Sequence, residues 1–151
     1  MGESAATGSP EDLIEAAKHQ KRILVVDDDP DIVMLIKYEL ESEGYQIVTA
    51  HDGLDAFEKI VAFRPDLIVL DILMPKVDGW VVCHSVKSNK ETKDIRIIIL
   101  TALTQLRSKI KGEYILQADL YRTKPFDLDE LSANVAKLLN IGENAESRQS
   151  A

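Results

Sequence analysis

The sequence predicts an open α/β sheet, five parallel strands with helices on both faces. Short runs rich in β-branched residues, "RILVV" (22–26), "YQIVTA" (45–50), "DLIVL" (66–70) and "IRIIIL" (95–100), recur along the chain, with a weaker fifth, "ADLYRT", at 118–123. All but the second are nearly continuously apolar among the first four, as strands covered on both faces are. Between the runs lie amphipathic stretches of helical length, and strand–helix repeats joined by right-handed crossovers build a parallel sheet.

Each element has its own signals. In the leader "SPEDLIEAAK", Ser9, Pro10 and Asp12 are helix-start residues, so residues 1–20 read as an N-terminal extension with room for a short helix. After the first strand, Asp29 before Pro30 is an N-cap, opening a helix over about 30–43 that Gly44 closes. At 100° per residue, Ile32, Val33, Ile36 and Leu40 share the side that faces the sheet. Met34 and Tyr38 stand opposite and are expected to be at least partly exposed. The second helix covers about 53–62 and stops near Arg64-Pro65. Asp78-Gly79 starts a third over about 78–88, on which Cys83 and His84 are expected to carry no chemistry. A fourth spans about 104–116. The last runs over about 127–140 and ends at Gly142. A polar stretch without apolar periodicity follows, so 142–151 reads as a disordered tail and 21–141 as the domain.

Composition narrows the function. The 151 residues suit one domain. A formal net charge of −8 and pI of about 4.9 provide no basic footprint for duplex DNA or an anionic membrane. The one cysteine forms no internal disulfide, and no Cys/His group has zinc spacing. The N-terminus lacks a signal-peptide pattern, and no apolar run approaches the ~20 residues that span a bilayer. A soluble, cytoplasmic protein is expected.

Ligands of open α/β sheets collect outside the carboxyl ends of the strands. The first strand ends in Asp27-Asp28, the third in Asp71, the fourth in Thr101, and the fifth region in Lys124; the second ends in "AHDG", which adds no comparable group. Three acids against one lysine leave negative charge to be offset. A hard divalent cation, Mg2+ or Mn2+, fits an oxygen-only donor set and commonly takes carboxylates together with phosphate. An aspartate can itself become an aspartyl-phosphate.

The segments "ILVVDDDPDI", "PDLIVLDILMPKVDG", "IIILTA" and "RTKPFD", in this order, resemble the receiver domain of bacterial two-component response regulators over about residues 21–141. The resemblance implies a flavodoxin-like (βα)5 fold with strand order 2-1-3-4-5. It makes Asp71 the phosphoacceptor and Asp28 a direct metal ligand along with Asp71, with Asp27 acting through water and Leu73 through its backbone carbonyl. Thr101 and Lys124 would hold the phosphoryl group, Tyr121 would be the switch aromatic, and Lys124-Pro125 would be a cis bond. Leu73 and Leu103, two positions beyond the acceptor and the threonine, would flank the attacking water and tune lifetime. Met34 and Tyr38 would dock a histidine kinase or histidine phosphotransfer protein. The implied protein is a stand-alone switch rather than an enzyme, acting on another protein. Gln117-Ala118, where the family often has Gly-Ala, and the preceding "KGEYIL" depart from the pattern.

Two other readings share the residues. A haloacid-dehalogenase-type phosphohydrolase would use Asp27 of the Asp27-x-Asp29 pair as nucleophile. Pro30 and the lack of a later acidic metal motif count against it, and Asp71 would have no role. A receiver-like module that only docks partners would have no need of the acids, threonine and lysine.

Overall fold

The computed structural model describes residues 8–102 and 117–141. Five strands, β1 (Arg22–Val26), β2 (Gln46–Ala50), β3 (Leu67–Leu70), β4 (Arg96–Ala102) and β5 (Leu120–Lys124), form one sheet in the order β2-β1-β3-β4-β5. Every pairing is parallel. The helices among the described residues are α1 (Pro10–His19), α2 (Pro30–Ser42), α3 (Gly53–Phe63), α4 (Gly79–Ser88) and α5 (Leu128–Leu138). The expected architecture and strand order are thus observed. The helix expected over 104–116, Leu103 and the tail 142–151 lie outside the described residues.

Alternation along the strands divides the core in two, because successive side chains leave opposite faces of a sheet. Leu24, Val26, Ile68, Leu70, Ile97 and Ile99 point to one face, where Ala56 and Ile60 of α3 and Val82 and Val86 of α4 cover them. Ile23, Val25, Leu67, Val69, Ile98 and Leu100 point to the other, under Ile36 and Leu40 of α2 and Leu131 and Val135 of α5. Both faces are covered, so the central strands read as unbroken apolar runs.

On α2, Ile36 and Leu40 are buried while Ile32 and Val33 are half-buried. Met34 and Tyr38 are 67% and 77% exposed, as the spacing predicts. Leu35, which that grouping left out, is also exposed.

The leader forms α1. Ser9 and Asp12 close a reciprocal capping box at its start. At its other end Lys18 pairs with Glu43 at 2.8 Å and lies over the Tyr45 ring, and His19 Nδ1 sits 2.8 Å from the Gly44 carbonyl. Ile14 packs on the second core cluster. Gly44 has a φ of +108°, and a Cβ there would meet the Glu15 carboxylate at 2.8 Å, so the corner under α1 needs a residue without a side chain.

At the amino end of the sheet, Asp119 gathers several elements. Its carboxylate accepts from Lys87 Nζ at 2.9 Å and from the Ile97 amide at 2.8 Å, with Arg96 at 3.3 Å. Lys87 also donates to the Ile95 carbonyl at 2.6 Å. These bonds hold the end of α4, the turn into β4 and the entry to β5 together.

Candidate functional site

The opposite, carboxyl rim carries the acids. The Asp27 amide donates to Ala50 O and the Asp71 amide to Val26 O, so each aspartate continues the parallel ladder one residue beyond its strand. This places the Asp27 and Asp71 side chains at the centre of the rim, on neighbouring strands. Carboxylate oxygens of Asp27, Asp28 and Asp71 lie within 4.8 Å of one another. Asp27 and Asp71 are buried and Asp28 is exposed. Asp29 stands apart as the N-cap of α2, accepting from the Asp31 amide.

One ammonium serves two buried carboxylates. Lys124 Nζ is 2.8 Å from Asp27 Oδ2 and 3.5 Å from Asp71 Oδ2. The remaining oxygens take backbone donors, Asp27 Oδ1 from the Asp29 amide and Asp71 Oδ1 from the Ile72 amide. Burial pushes the Asp71 carboxyl above its ordinary range, and the Asp27 charge adds to this. Burial also raises Asp27, against the hydrogen bonds from Lys124 and the Asp29 amide. For Lys124 burial works against the charge, but Asp27 and Asp71 outweigh it and raise its pKa. The acid pair is therefore short of positive charge even with its lysine. All-oxygen donors in this setting suit a hard divalent cation.

Thr101 and Lys124 come from the two strands beyond β3. Thr101 is buried, and its hydroxyl has no hydrogen-bond partner among the described residues. A hydroxyl in that state is unusual in a folded interior. It lines a cleft of about 360 Å³ together with Asp27, Asp28, Asp71, Leu73 and Lys124. Leu73 is 53% exposed at this cleft. The Lys124-Pro125 bond is cis, as expected. Tyr121 is half-buried, with its ring tilted at 6.0 Å from that of buried Trp80.

The loop from Asp71 to Gly79 is closed at its base and pinned at its tip. The Gly79 amide donates to Ile72 O at 2.6 Å, and a Cβ on Gly79 would stand 2.0 Å from Asp71 O, so this approach is open only to glycine. At the tip, the Val77 amide donates to Pro75 O across Lys76, whose φ is +69°. That is the uncommon γ-turn, and a non-glycine residue held so costs about 1–3 kcal/mol. Lys76 Nζ reaches Asp52 Oδ2 at 3.4 Å, and a Cβ on Gly53 would fall 2.4 Å from Val77 Cβ. Asp52 is buried and caps α3 by accepting from the Asp55 amide, a bond that holds its carboxyl below the usual range. The "AHDG" segment thus supports the loop from Asp71 to Gly79, a part that strand-end reasoning did not give it. The available signal was Asp before Gly at a helix start, an N-cap pattern.

An open parallel sheet that gathers buried acids, a lysine and a hydroxyl without a partner among the described residues at its carboxyl rim is suited to take up a phosphoryl group. The chain belongs to the response regulator receiver domain family, whose model matches residues 23–136. It is 46% identical over 118 residues to the DNA-binding dual master transcriptional regulator RpaA of Synechocystis, covering 78% of this chain and 48% of that protein. It is 44% identical over 125 residues to the alkaline phosphatase synthesis transcriptional regulatory protein PhoP of Bacillus subtilis, covering 83% and 51%. The chain spans about half the length of these curated relatives. Among solved structures, response regulator TrrA of Thermotoga maritima in complex with Mg2+–BeF superposes with a TM-score of 0.69 at 44% identity, covering 79% of this chain and 99% of that one. This is a receiver domain of two-component response regulators, a family of signalling switches rather than classical enzymes that binds Mg2+ at an acidic pocket. Among the described residues, no helix is long and apolar enough to cross a membrane.

Proposed function

We propose that Asp71 accepts a phosphoryl group from a histidine kinase or histidine phosphotransfer protein. The observation that carries this reading is the convergence of Asp27, Asp28, Asp71, Thr101 and Lys124 on one cleft. In the transfer, an Asp71 carboxylate oxygen bonds to phosphorus as the donor's P–N bond breaks, and the departing imidazole nitrogen keeps the electron pair. Lys124 faces the acceptor and steadies the charge of the phosphoryl oxygens, and the Thr101 hydroxyl, without a partner among the described residues, gains an acceptor in one of them.

Asp28, Asp71 and the Leu73 carbonyl would hold Mg2+ or Mn2+, with Asp27 bonding through water. The cation supplies positive charge against the carboxylates and the incoming phosphate. Tyr121 is the proposed switch aromatic, and Met34 and Tyr38 the proposed contacts for the donor's helices. The chain's net charge of −8 supports output through protein contact in the cytoplasm rather than direct nucleic-acid binding, although RpaA is named as DNA-binding. Residues 21–141 form the proposed switch, with 1–20 as an extension and 142–151 as a polar tail.

Incubation with acetyl phosphate and Mg2+ tests the acceptor. Asp71→Asn should abolish labelling, and Asp29→Asn should leave most of it. Undiminished labelling of Asp71→Asn would overturn the assignment and return Asp27 to consideration.

A further inference from the structure

We infer that Lys76, through its ion pair with Asp52, is a positioning residue that braces the acceptor loop and so sets how well the site holds its divalent cation. The inference rests on the proposed cation site, to which Leu73 would contribute a backbone carbonyl.

A backbone carbonyl serves as a ligand only where its loop keeps it; Ile72 and Met74 seat this loop in the core on either side of Leu73, and contacts at its base and tip hold it further. Gly79 fixes the base beside Asp71 by its bond to Ile72 O. At the far end, Lys76 occupies the strained centre of the γ-turn, a conformation that persists only where the surroundings enforce it. Two contacts enforce it here. Val77 sits against Gly53 so closely that a Cβ on the glycine would fall 2.4 Å from Val77 Cβ and 2.6 Å from Val77 O. Lys76 Nζ lies 3.4 Å from Asp52 Oδ2.

Asp52 is suited to this use. Its other carboxylate oxygen is fixed at 2.8 Å from the Asp55 amide at the start of α3, so its position is set by the helix rather than by the lysine. The loop tip therefore leans on a helix terminus packed against the sheet. Leu73, between base and tip, lines the cleft. Lys76 itself is exposed and touches none of the clefted carboxylates in the described contacts, so it acts through the loop alone. A pair whose cation is exposed to solvent has a modest effect. The brace tunes the site and does not create it.

Calorimetric Mg2+ titration of the full chain tests this, with a thermal melt of each protein. Lys76→Met and Asp52→Asn should each weaken Mg2+ binding about threefold, with the double variant no weaker than either. Lys76→Arg should restore near-native affinity. Amide exchange of the metal-free protein should quicken at Val77 in Lys76→Met, with the melting temperature within about 2 °C of the parent for so exposed a site. Native affinity in both single variants, or additive losses in the double, would overturn the brace. Absence of Mg2+ binding by the parent itself would instead overturn the cation reading on which the inference stands.

Discussion

The Leu73 side chain is proposed to set a rate without taking part in the transfer. It lines the cleft of Asp71 and is half-exposed; a leucine there cannot orient a water molecule by hydrogen bonding, and its bulk would shield a phosphoryl group on Asp71. Leu103, outside the described residues, is its proposed counterpart after Thr101. Slow self-dephosphorylation is therefore expected. Leu73→Asn combined with Leu103→Glu should shorten the phosphoryl lifetime by about one to two orders of magnitude, about 1.4–2.7 kcal/mol in barrier height. Phosphate release from both proteins in Mg2+ without partners measures this, and equal lifetimes would release the leucines from that role.

Elements are held by contacts that differ in how visible they are from the chain. Asp119 binds α4, β4 and β5 at the rim remote from the site, and although burial opposes its charge, the Lys87 and Ile97 bonds prevail and lower its pKa. A lowered carboxyl stabilises the fold above its unfolded value, near 3.8, and that contribution disappears as pH falls through the lower folded value. Asp119→Asn should cost about 1 kcal/mol at pH 7, given the screening of a partly exposed network. Urea melts should show the difference from the parent shrinking as pH drops below 3.8. On α2, glutamates at Met34 and Tyr38 should slow transfer from the cognate kinase at least about tenfold while acetyl phosphate labelling persists, because charge at an apolar helix-docking face blocks its burial. Unchanged transfer would place docking elsewhere. The strands, the caps Ser9, Asp29 and Asp78 and the converging acids were legible because each follows from a run's composition or the residue that ends or follows it: β3 is apolar throughout, Asp29 precedes Pro30, and Asp71 follows "LIVL". Asp119, Lys76 and Gly53 were not. Their partners are fixed by how loops meet after the sheet is assembled, and no local period encodes that meeting. Strand limits moved by a residue or two for a related reason: β4 runs on through Thr101 to Ala102 because β5 pairs with it there.

For the molecule as a whole, α1 is an addition to a domain whose sheet and site are complete without it. Its links run to Glu43, Gly44, Tyr45 and Gln46, at the rim away from the acids. Removing residues 1–19 should lower the melting temperature by about 2–4 °C, the shift expected for a loss of about 1 kcal/mol in a chain of this size. Labelling of Asp71 by acetyl phosphate should continue at the parental rate, and a truncated chain that no longer labels would make the extension part of the switch. The sheet order has another effect on how the site comes into being. Lys124 and Asp27 are joined across 97 residues, and the lysine arrives on the last strand to be made while both acids and the threonine are already in the chain. A nascent chain leaving the ribosome without β5 has Asp71 but not the ammonium that faces it. On the roles proposed for Asp71 and Lys124, competence to take up a signal would come with completion of the sheet, and an unfinished copy would be a poor competitor for the donor.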